Sequence, residues 1–369
     1  MSNNDKTWYK VARTIVKAGN VPFPVSDKIF ALLKELISKE EAEFISSVFR
    51  KPSLTMEQIK QKTDLNDESI NKILERLMRG GVIVRSQSRT TGIDVYRLMG
   101  PYPGMFEFTM MKGETDEHHK KLAIVFEELF NEMSDKIQEN YDDVSKQFNI
   151  KTFPAVTRTV PIEEEIDPGQ EHILTSEEVT KLIDDYEDIG LAHCYCRHEK
   201  DLANDPCKVT NERENCIVLG KGAKFMIEYN FANPISKEKA KDILQQAEDE
   251  GLVHKVFHVH LDPSKEIEGI CSCCKCCCGI FRFYYKGITP HHTTTNYIAE
   301  VNEEDCIGCG TCEEKCPMEA IELEDSIARI DKTKCIGCGV CAHLCPEKTI
   351  NLKHTGLRHV FLLPPKLKS

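Results

Sequence analysis

The first part of the chain follows a helical period. Apolar side chains recur every three or four positions over residues 9–17, 28–37 and 39–49, which predicts three amphipathic helices. A Thr-x-x-Gln capping box at Thr55 predicts a short fourth helix that ends near residue 62. The chain therefore begins with a small, mostly helical domain.

A fifth helix and a hairpin complete this predicted domain. Asn66 is a suitable N-cap for a helix that ends before Gly80. Residues 82–86 and 94–99 are rich in β-branched and aromatic side chains, which predicts two strands. Short helix, helix and hairpin form the element order of a winged helix-turn-helix, so we expect a winged-helix-like domain over residues 1–100.

Helical and strand patterns continue through the middle of the chain. Residues 118–148 form a long amphipathic stretch of one or two helices. Residues 236–250 predict another helix, with Gly251 as its C′ residue, and residues 252–261 predict a strand.

Charge and hydropathy indicate the compartment of the protein and the kinds of partner it binds. The 369 residues carry a net charge of −12, but residues 1–100 hold 17 Lys and Arg against 12 Asp and Glu. The front is therefore mildly basic and the remainder acidic, which suits different partners at the two ends. No apolar run reaches the roughly 18 residues of a membrane span, and the N-terminus lacks a signal-peptide core. We expect a cytoplasmic protein with no membrane span.

Cysteine dominates the candidate chemistry, with 18 residues. Eight of them lie in two runs, CIGCGTCEEKCP from Cys306 and CIGCGVCAHLCP from Cys335. The spacing C-x2-C-x2-C-x3-C-P is typical of bacterial [4Fe–4S] ligation, whereas zinc sites usually group cysteines in pairs. The tandem repeat therefore predicts two [4Fe–4S] clusters rather than two zinc knuckles.

This region closely resembles a bacterial-type two-cluster ferredoxin domain over about residues 296–355. The resemblance implies a pseudo-two-fold βαβ fold with two low-potential clusters close enough for electron exchange. We also expect a redox partner protein. The resemblance also implies that the fourth cysteine of each repeat binds the other repeat's cluster. The ligands are then Cys306, Cys309, Cys312 and Cys345 for cluster 1, and Cys335, Cys338, Cys341 and Cys316 for cluster 2.

Other residues of the repeat have expected roles. The glycines of each loop allow a positive φ where the backbone passes the inorganic sulfurs. Apolar side chains beside the loops are expected to keep water away: Ile307, Ile321, Ile336, Val340 and Ile350.

Ten further cysteines lie upstream in two groups. The first group is Cys194, Cys196, Cys207 and Cys216, and the second is Cys271, Cys273, Cys274, Cys276, Cys277 and Cys278. Cysteine also serves as a small apolar residue, but six within eight positions would oxidise or bind metal if exposed. We expect these residues to bind iron in one or two further clusters.

The assignment of these ligands stays open in part. The first group is the expected third centre, and the second group holds a fourth with some cysteines spare, unless the two groups share ligands. Neighbouring side chains on a strand point to opposite faces. Cys276, Cys277 and Cys278 therefore serve one centre only if the loop turns sharply.

Polar residues near the cysteines are candidates for contacts to cluster sulfur or to a substrate: Arg197, His198, His258, His260, His291 and His292. A surface salt bridge is the alternative for Arg197 and His198, and an ordinary core position is the alternative for the other histidines.

The whole layout resembles uncharacterised 4Fe–4S-binding proteins of anaerobic bacteria and archaea, which implies electron transfer but no substrate. The expected fold is a multidomain α+β chain. Its parts are a winged-helix-like domain at 1–100, a linker with amphipathic helices at 101–170, a cysteine-rich α/β domain at 171–295, a ferredoxin-like (βαβ)2 dicluster domain at 296–355 and a tail at 356–369.

Three functions fit these features. The first is a relay that passes low-potential electrons between a partner oxidoreductase and the middle-domain centres. The second is a reductase with substrate bound at a middle-domain cluster, and the third is a redox-sensing transcription regulator. No flavin, nicotinamide or P-loop motif is present in the sequence, so an electron carrier or oxidoreductase subunit is favoured.

The predicted winged helix admits DNA, another protein or a second copy of the chain as its partner. Its candidate recognition helix begins with Asp67 and Glu68, which repel phosphate, and its net charge is low for a DNA-binding domain. Protein docking is therefore favoured over DNA.

Overall fold

The computed structural model describes the chain except residues 1–2, 20, 22, 89–90, 152, 156, 167–177, 259–265 and 368–369. The chain folds into two compact units. The first comprises Met1–Met133, Ala192–Pro206 and Lys224–Asn233, and the second comprises Ser134–Leu191, Cys207–Ala223 and Pro234–Ser369.

Helices occur in both units. In chain order they are α1 (Asn3–Ala18), α2 (Asp27–Leu36), α3 (Lys39–Val48), α4 (Met56–Lys60), α5 (Asp67–Arg79), α6 (Met105–Met110), α7 (Glu117–Glu139), α8 (Tyr141–Val144), α9 (Val179–Asp184), α10 (Tyr195–Leu202), α11 (Gly220–Glu228), α12 (Lys237–Asp249), α13 (Gly279–Tyr285), α14 (Thr311–Lys315) and α15 (Val340–His343). None of them, within the described residues, is long and apolar enough to cross a membrane.

The strands form three sheets. They are β1 (Ser53–Thr55), β2 (Ile83–Gln87), β3 (Asp94–Leu98), β4 (Thr157–Val160), β5 (Ile189–Ala192), β6 (Cys216–Leu219), β7 (Asn233–Pro234), β8 (Val253–His258), β9 (Ile267–Cys273), β10 (His291–Val301), β11 (Ile321–Glu324), β12 (Ile327–Ile330) and β13 (Ile350–Leu362).

The first unit contains the helices and the hairpin that the sequence patterns predict for residues 1–100. The Thr55 hydroxyl accepts from the Gln58 amide, and the Asn66 side chain accepts from the Ser69 amide at 2.8 Å, so both predicted caps are confirmed. A short strand that the sequence pattern missed, β1, pairs with β3 and gives the sheet order β1-β3-β2. Leu54 of this strand is buried.

The second unit is built on an eight-stranded sheet in the order β13-β10-β4-β8-β9-β6-β5-β7. β10 pairs antiparallel with β13 and parallel with β4. The loops of the cysteine repeat lie between β10 and β13, together with the small β11–β12 hairpin. β9 ends at Cys273, so the six-cysteine run begins within the same sheet.

One predicted helix and one predicted strand of this unit agree with the structure, and the predicted tail does not. The helix predicted at 236–250 is α12, and Gly251 has the positive φ of a C′ residue, +76°. The strand predicted at 252–261 is β8, and residues 259–261 lie outside the described part. β13 continues to Leu362, which pairs with His291, so residues 356–362 form sheet and not a tail.

Candidate metal centres

The first loop of the repeat encloses an open cavity of about 340 Å³. Its lining includes Cys306, Cys309 and Cys312 from the first run and Cys345 from the second run. These are the four residues that the ferredoxin resemblance assigns to cluster 1.

The second loop encloses a matching cavity of about 360 Å³. Cys335, Cys338 and Cys341 line it together with Cys316, which comes from the first run. Each cavity therefore receives three cysteines from its own loop and the fourth from the other copy.

The glycines let the two loops close around these cavities. Gly308 has a φ of +64° and Gly337 a φ of +63°, so the expected positive φ is confirmed at both. A Cβ on Gly308 would lie 2.3 Å from the Ser326 carbonyl oxygen, and one on Gly337 would lie 2.4 Å from that of Tyr297. The space is available only to a residue without a side chain.

The two loops differ in their exposure to solvent. Ile336 is 2% exposed and Cys338 is buried, and burial raises the pKa of the Cys338 thiol to about 12. Ile307 is 62% exposed and Cys309 is also exposed. The expectation that Ile307 keeps water away is therefore wrong, whereas Ile321, Ile336, Val340 and Ile350 are buried as expected.

Acidic side chains flank the exposed loop. Exposed carboxylates precede Cys306 in the sequence, follow Cys312 and follow Cys345: Glu303, Glu304, Asp305, Glu313, Glu314 and Glu347. Glu347 also lines the first cavity. Glu303 pairs with Arg329 and Glu314 with Lys315, and the other four carboxylates leave the exposed loop with a negatively charged surface.

Arg358 of β13 supports the second loop, and the sequence analysis missed it. Its guanidinium donates to the backbone carbonyls of Lys332 at 2.6 Å, Tyr297 at 3.1 Å and Cys335 at 3.4 Å. The residue lies in the segment predicted to be a tail, so no local sequence signal pointed to this contact.

The six-cysteine run turns sharply after β9. The Cys278 amide donates to the Cys274 carbonyl at 3.2 Å, which closes a single turn over the residues between them. The turn brings Cys274, Cys276 and Cys277 to one site, where Cys207 joins them. Cys207 Sγ lies 3.7 Å from the sulfurs of Cys274 and Cys276.

The other three cysteines of the run, Cys271, Cys273 and Cys278, form a second group of neighbouring thiols. Cys271 and Cys273 lie on one face of β9 because they are two residues apart. The thiols of Cys271 and Cys278 lie near enough to Cys273 to be the main influences on the pKa of its thiol, which stands well above its usual range. Cys216 of β6 lies directly opposite Cys271 in the strand register, so it extends this set to four.

The group Cys194, Cys196, Cys207 and Cys216 is consequently divided. Cys194 and Cys196 belong to the first unit, at the start of α10. Cys207 and Cys216 belong to the second unit, and each joins a different part of the six-cysteine run. The structure thus brings one cysteine of the first group to each part of the six-cysteine run.

Lys255 is a buried charge beside the cysteines, and it too was missed. Its side chain is 0% exposed in the centre of β8, with Nζ 3.4 Å from the Thr159 hydroxyl. Burial lowers the pKa of Lys255, while the sulfurs of Cys273, Cys278 and Cys338 act in the opposite direction. The sequence signal for this buried charge was a lysine in the middle of a strand predicted from apolar residues.

The candidate histidines of the second unit each have different neighbours. The His291 ring stacks on Phe281 at 5.4 Å, and neither ring nitrogen has a hydrogen-bond partner among the described residues. Burial holds the pKa of His291 well below its usual range, so the ring is neutral. His292 contacts the Phe153 carbonyl and His359. His258 ends β8, and His260 lies outside the described residues.

Arg197 and His198 lie in the first unit on α10. Arg197 is 1% exposed, so its side chain lies in the interior and not at the surface. His198 Nε2 lies 2.8 Å from the Glu114 carbonyl oxygen, and burial lowers the pKa of its ring.

Comparison with known proteins identifies the C-terminal region. Residues 299–352 match the family model of the 4Fe-4S dicluster domain, a span that contains both cysteine runs. The chain matches no curated protein and no solved structure. It is therefore a mixed helix and sheet protein with a C-terminal 4Fe–4S dicluster domain, and its cysteines suit iron–sulfur electron transfer.

Proposed function

We propose that the chain is an electron-transfer protein that exchanges electrons with a partner through the exposed loop of its dicluster domain. The observation that carries the proposal is the pair of cavities, each lined by three cysteines of one repeat and one of the other. When bound, a [4Fe–4S] cluster supplies one-electron redox chemistry. The cysteines hold it, and the surrounding chain sets its exposure and charge.

The residues that line both cavities are suited to hold a [4Fe–4S] cluster. Four thiols surround each cavity, and the glycine backbone approaches without a side chain in the way. Burial raises the pKa of Cys312 and Cys316, so a bound metal must displace protons that the free thiols hold.

The exposed loop favours a basic partner. Ile307 supplies an apolar contact at its tip, and the neighbouring carboxylates supply a negative field. Complementary charge accelerates encounter and sets orientation, which suits a transient redox complex. The second loop is buried and does not offer such a surface.

We assign a third iron–sulfur centre to Cys216, Cys271, Cys273 and Cys278. Support comes from the shared face of Cys271 and Cys273 and from the register of Cys216. Lys255 adds electrostatic support, because a buried ammonium group is costly without an anionic partner and thiolate-bound clusters are anionic. The sulfur of Cys338 in the second loop acts on the pKa of the same lysine as those of Cys273 and Cys278 do, which supports a common electrostatic role of this charge for both sets of thiols.

For the first unit we propose a winged-helix domain that docks protein rather than DNA. Acidic side chains of the same unit pair with its basic residues: Arg76 with Glu40 and Glu41, Arg79 with Glu75, and Arg85 with Glu228. Arginines that are already paired have less charge to offer phosphate. A gel shift on DNA at nanomolar protein that weakens with salt would contradict this assignment.

Iron content and EPR of anaerobically purified protein test the main proposal. We expect Cys309→Ser and Cys338→Ser each to remove the signal of a different cluster, and Cys278→Ser to remove about four irons while both ferredoxin-type signals remain. Wild-type protein without any reducible iron–sulfur signal would refute the electron-transfer function. Unchanged iron in Cys278→Ser would refute the third centre alone.

A further inference from the structure

The sulfurs around Cys207 are too close together for a cubane. Cys207 lies 3.7 Å from Cys274 and from Cys276, and Cys276 lies 3.6 Å from Cys274 and from Cys277. In a tetrahedral site with Zn–S bonds of about 2.3 Å, geometry places the sulfurs about 3.8 Å apart. The observed spacing is therefore that of ligands around one ion.

The dicluster domain provides an internal comparison. In a cubane each thiolate binds a different iron, so the cluster itself separates the sulfurs. The cysteines of the two repeats accordingly line two open cavities. In the part of the chain that the structure describes, only the Cys207 group has three or more candidate ligand atoms within 4.8 Å of one another.

The surrounding backbone suits a structural ion. Residues 207–215 contain no regular helix or strand, yet Cys207 in this segment meets the turn after β9. That turn leads into Cys278 and α13. An ion held by four cysteines has no open coordination position, which is the arrangement of structural zinc sites.

We propose that Cys207, Cys274, Cys276 and Cys277 bind one zinc ion, which fastens the 207–215 segment to the turn after β9. The assignment lies beyond the electron-transfer function, because zinc has no redox chemistry. It also explains how the six-cysteine run serves two purposes. Three of its residues bind zinc, and the other three remain for iron.

Metal analysis of the anaerobically purified full chain tests this site. Wild-type protein is expected to hold about one zinc in addition to its iron. Cys207→Ser should lose most of the zinc and keep its iron. Cys309→Ser is the reciprocal control and should lose iron while it keeps zinc. Loss of about four irons from Cys207→Ser would show a cubane, loss of one iron would show a mononuclear iron site, and either result would overturn the zinc assignment.

Cobalt substitution gives a second measurement that needs no variant. Cobalt(II) that replaces zinc in the native chain should show the charge-transfer and d–d absorption of a tetrahedral tetrathiolate site. Wild-type protein with only trace zinc and no such cobalt spectrum would overturn the proposal. Absence of redox-active clusters with zinc present would instead contradict the electron-transfer function and leave the zinc site intact.

Discussion

Ile307 and Ile336 occupy equivalent positions in the two cysteine repeats, yet the first is 62% exposed and the second is 2% exposed. The two loops have similar sequences and the same glycine conformations, so the difference comes from what packs on them. A Cβ on Gly339 of the second loop would lie 3.1 Å from Ile162, whereas one on Gly310 of the first would meet only Leu323 at 3.7 Å. The exposed loop is consequently the one available to a partner.

The acidic surface of this loop should control electron exchange with charged reagents. We expect the double change Glu313→Gln and Glu347→Gln to slow reduction by a cationic viologen about threefold at low salt, because it weakens the attractive field. Stopped-flow absorbance measures the rate. Glu57→Gln with Glu68→Gln makes the same change in net charge on the first unit. An equal effect of that control pair would contradict a local role for the loop.

Gly337→Ala should impair assembly of cluster 2. The new Cβ would meet the Tyr297 carbonyl at 2.4 Å, and alanine at a φ of +63° costs roughly 1–2 kcal/mol in addition. The expected result is a loss of about four irons, measured on anaerobically purified protein. Gly222→Ala is the matched control, since nothing lies within 4 Å of its added Cβ. Iron content in Gly337→Ala equal to that of the control would contradict the geometry.

Lys255→Met should lower the reduction potential of the centres beside it. A buried positive charge favours the reduced, more negative cluster, and its loss corresponds to a shift on the order of 50–100 mV at an effective dielectric constant near 20. EPR-monitored potentiometry measures the shift. Cluster 1 acts as an internal reference because the cysteines that act on the pKa of Lys255 are Cys273, Cys278 and Cys338, and none of them lines the first cavity. Lys255→Arg keeps the charge and should keep most of the potential.

Glu107 should make the first unit less stable as the pH rises. Burial raises the pKa of Glu107 to about 8, although the Gly104 amide donates to its carboxyl group. Between pH 4.5, the ordinary pKa of a glutamate, and about pH 8 the folded state holds a proton that the unfolded state releases, so the free energy of unfolding falls as the pH rises across this interval. The protection factors of the α6 amides in hydrogen exchange, compared at pH 6 and pH 8.5, measure the effect. Glu107→Gln cannot ionise and should remove the difference, and persistence of the difference in that variant would refute the assignment.

Local sequence patterns predicted much of this protein. The helices of residues 1–100 follow from apolar periodicity and caps, which depend on residues three or four positions apart. The cysteine runs likewise predicted two four-cysteine sites, since three ligands of each lie within seven residues. Strand β1 was missed because three residues carry too little pattern.

The arrangement of the middle cysteines was decided by tertiary structure. Cys207 is 67 residues from Cys274 in the chain, and only the fold brings their sulfurs within 3.7 Å. Spacing alone cannot give the distance between sulfurs, and that distance distinguishes one ion from a cluster. Sequence thus determined that this protein binds metal through cysteine and where its iron–sulfur repeat lies. The tertiary structure decided which distant cysteines meet, which loop is exposed and where Lys255 is buried, because these depend on packing between segments far apart in the chain.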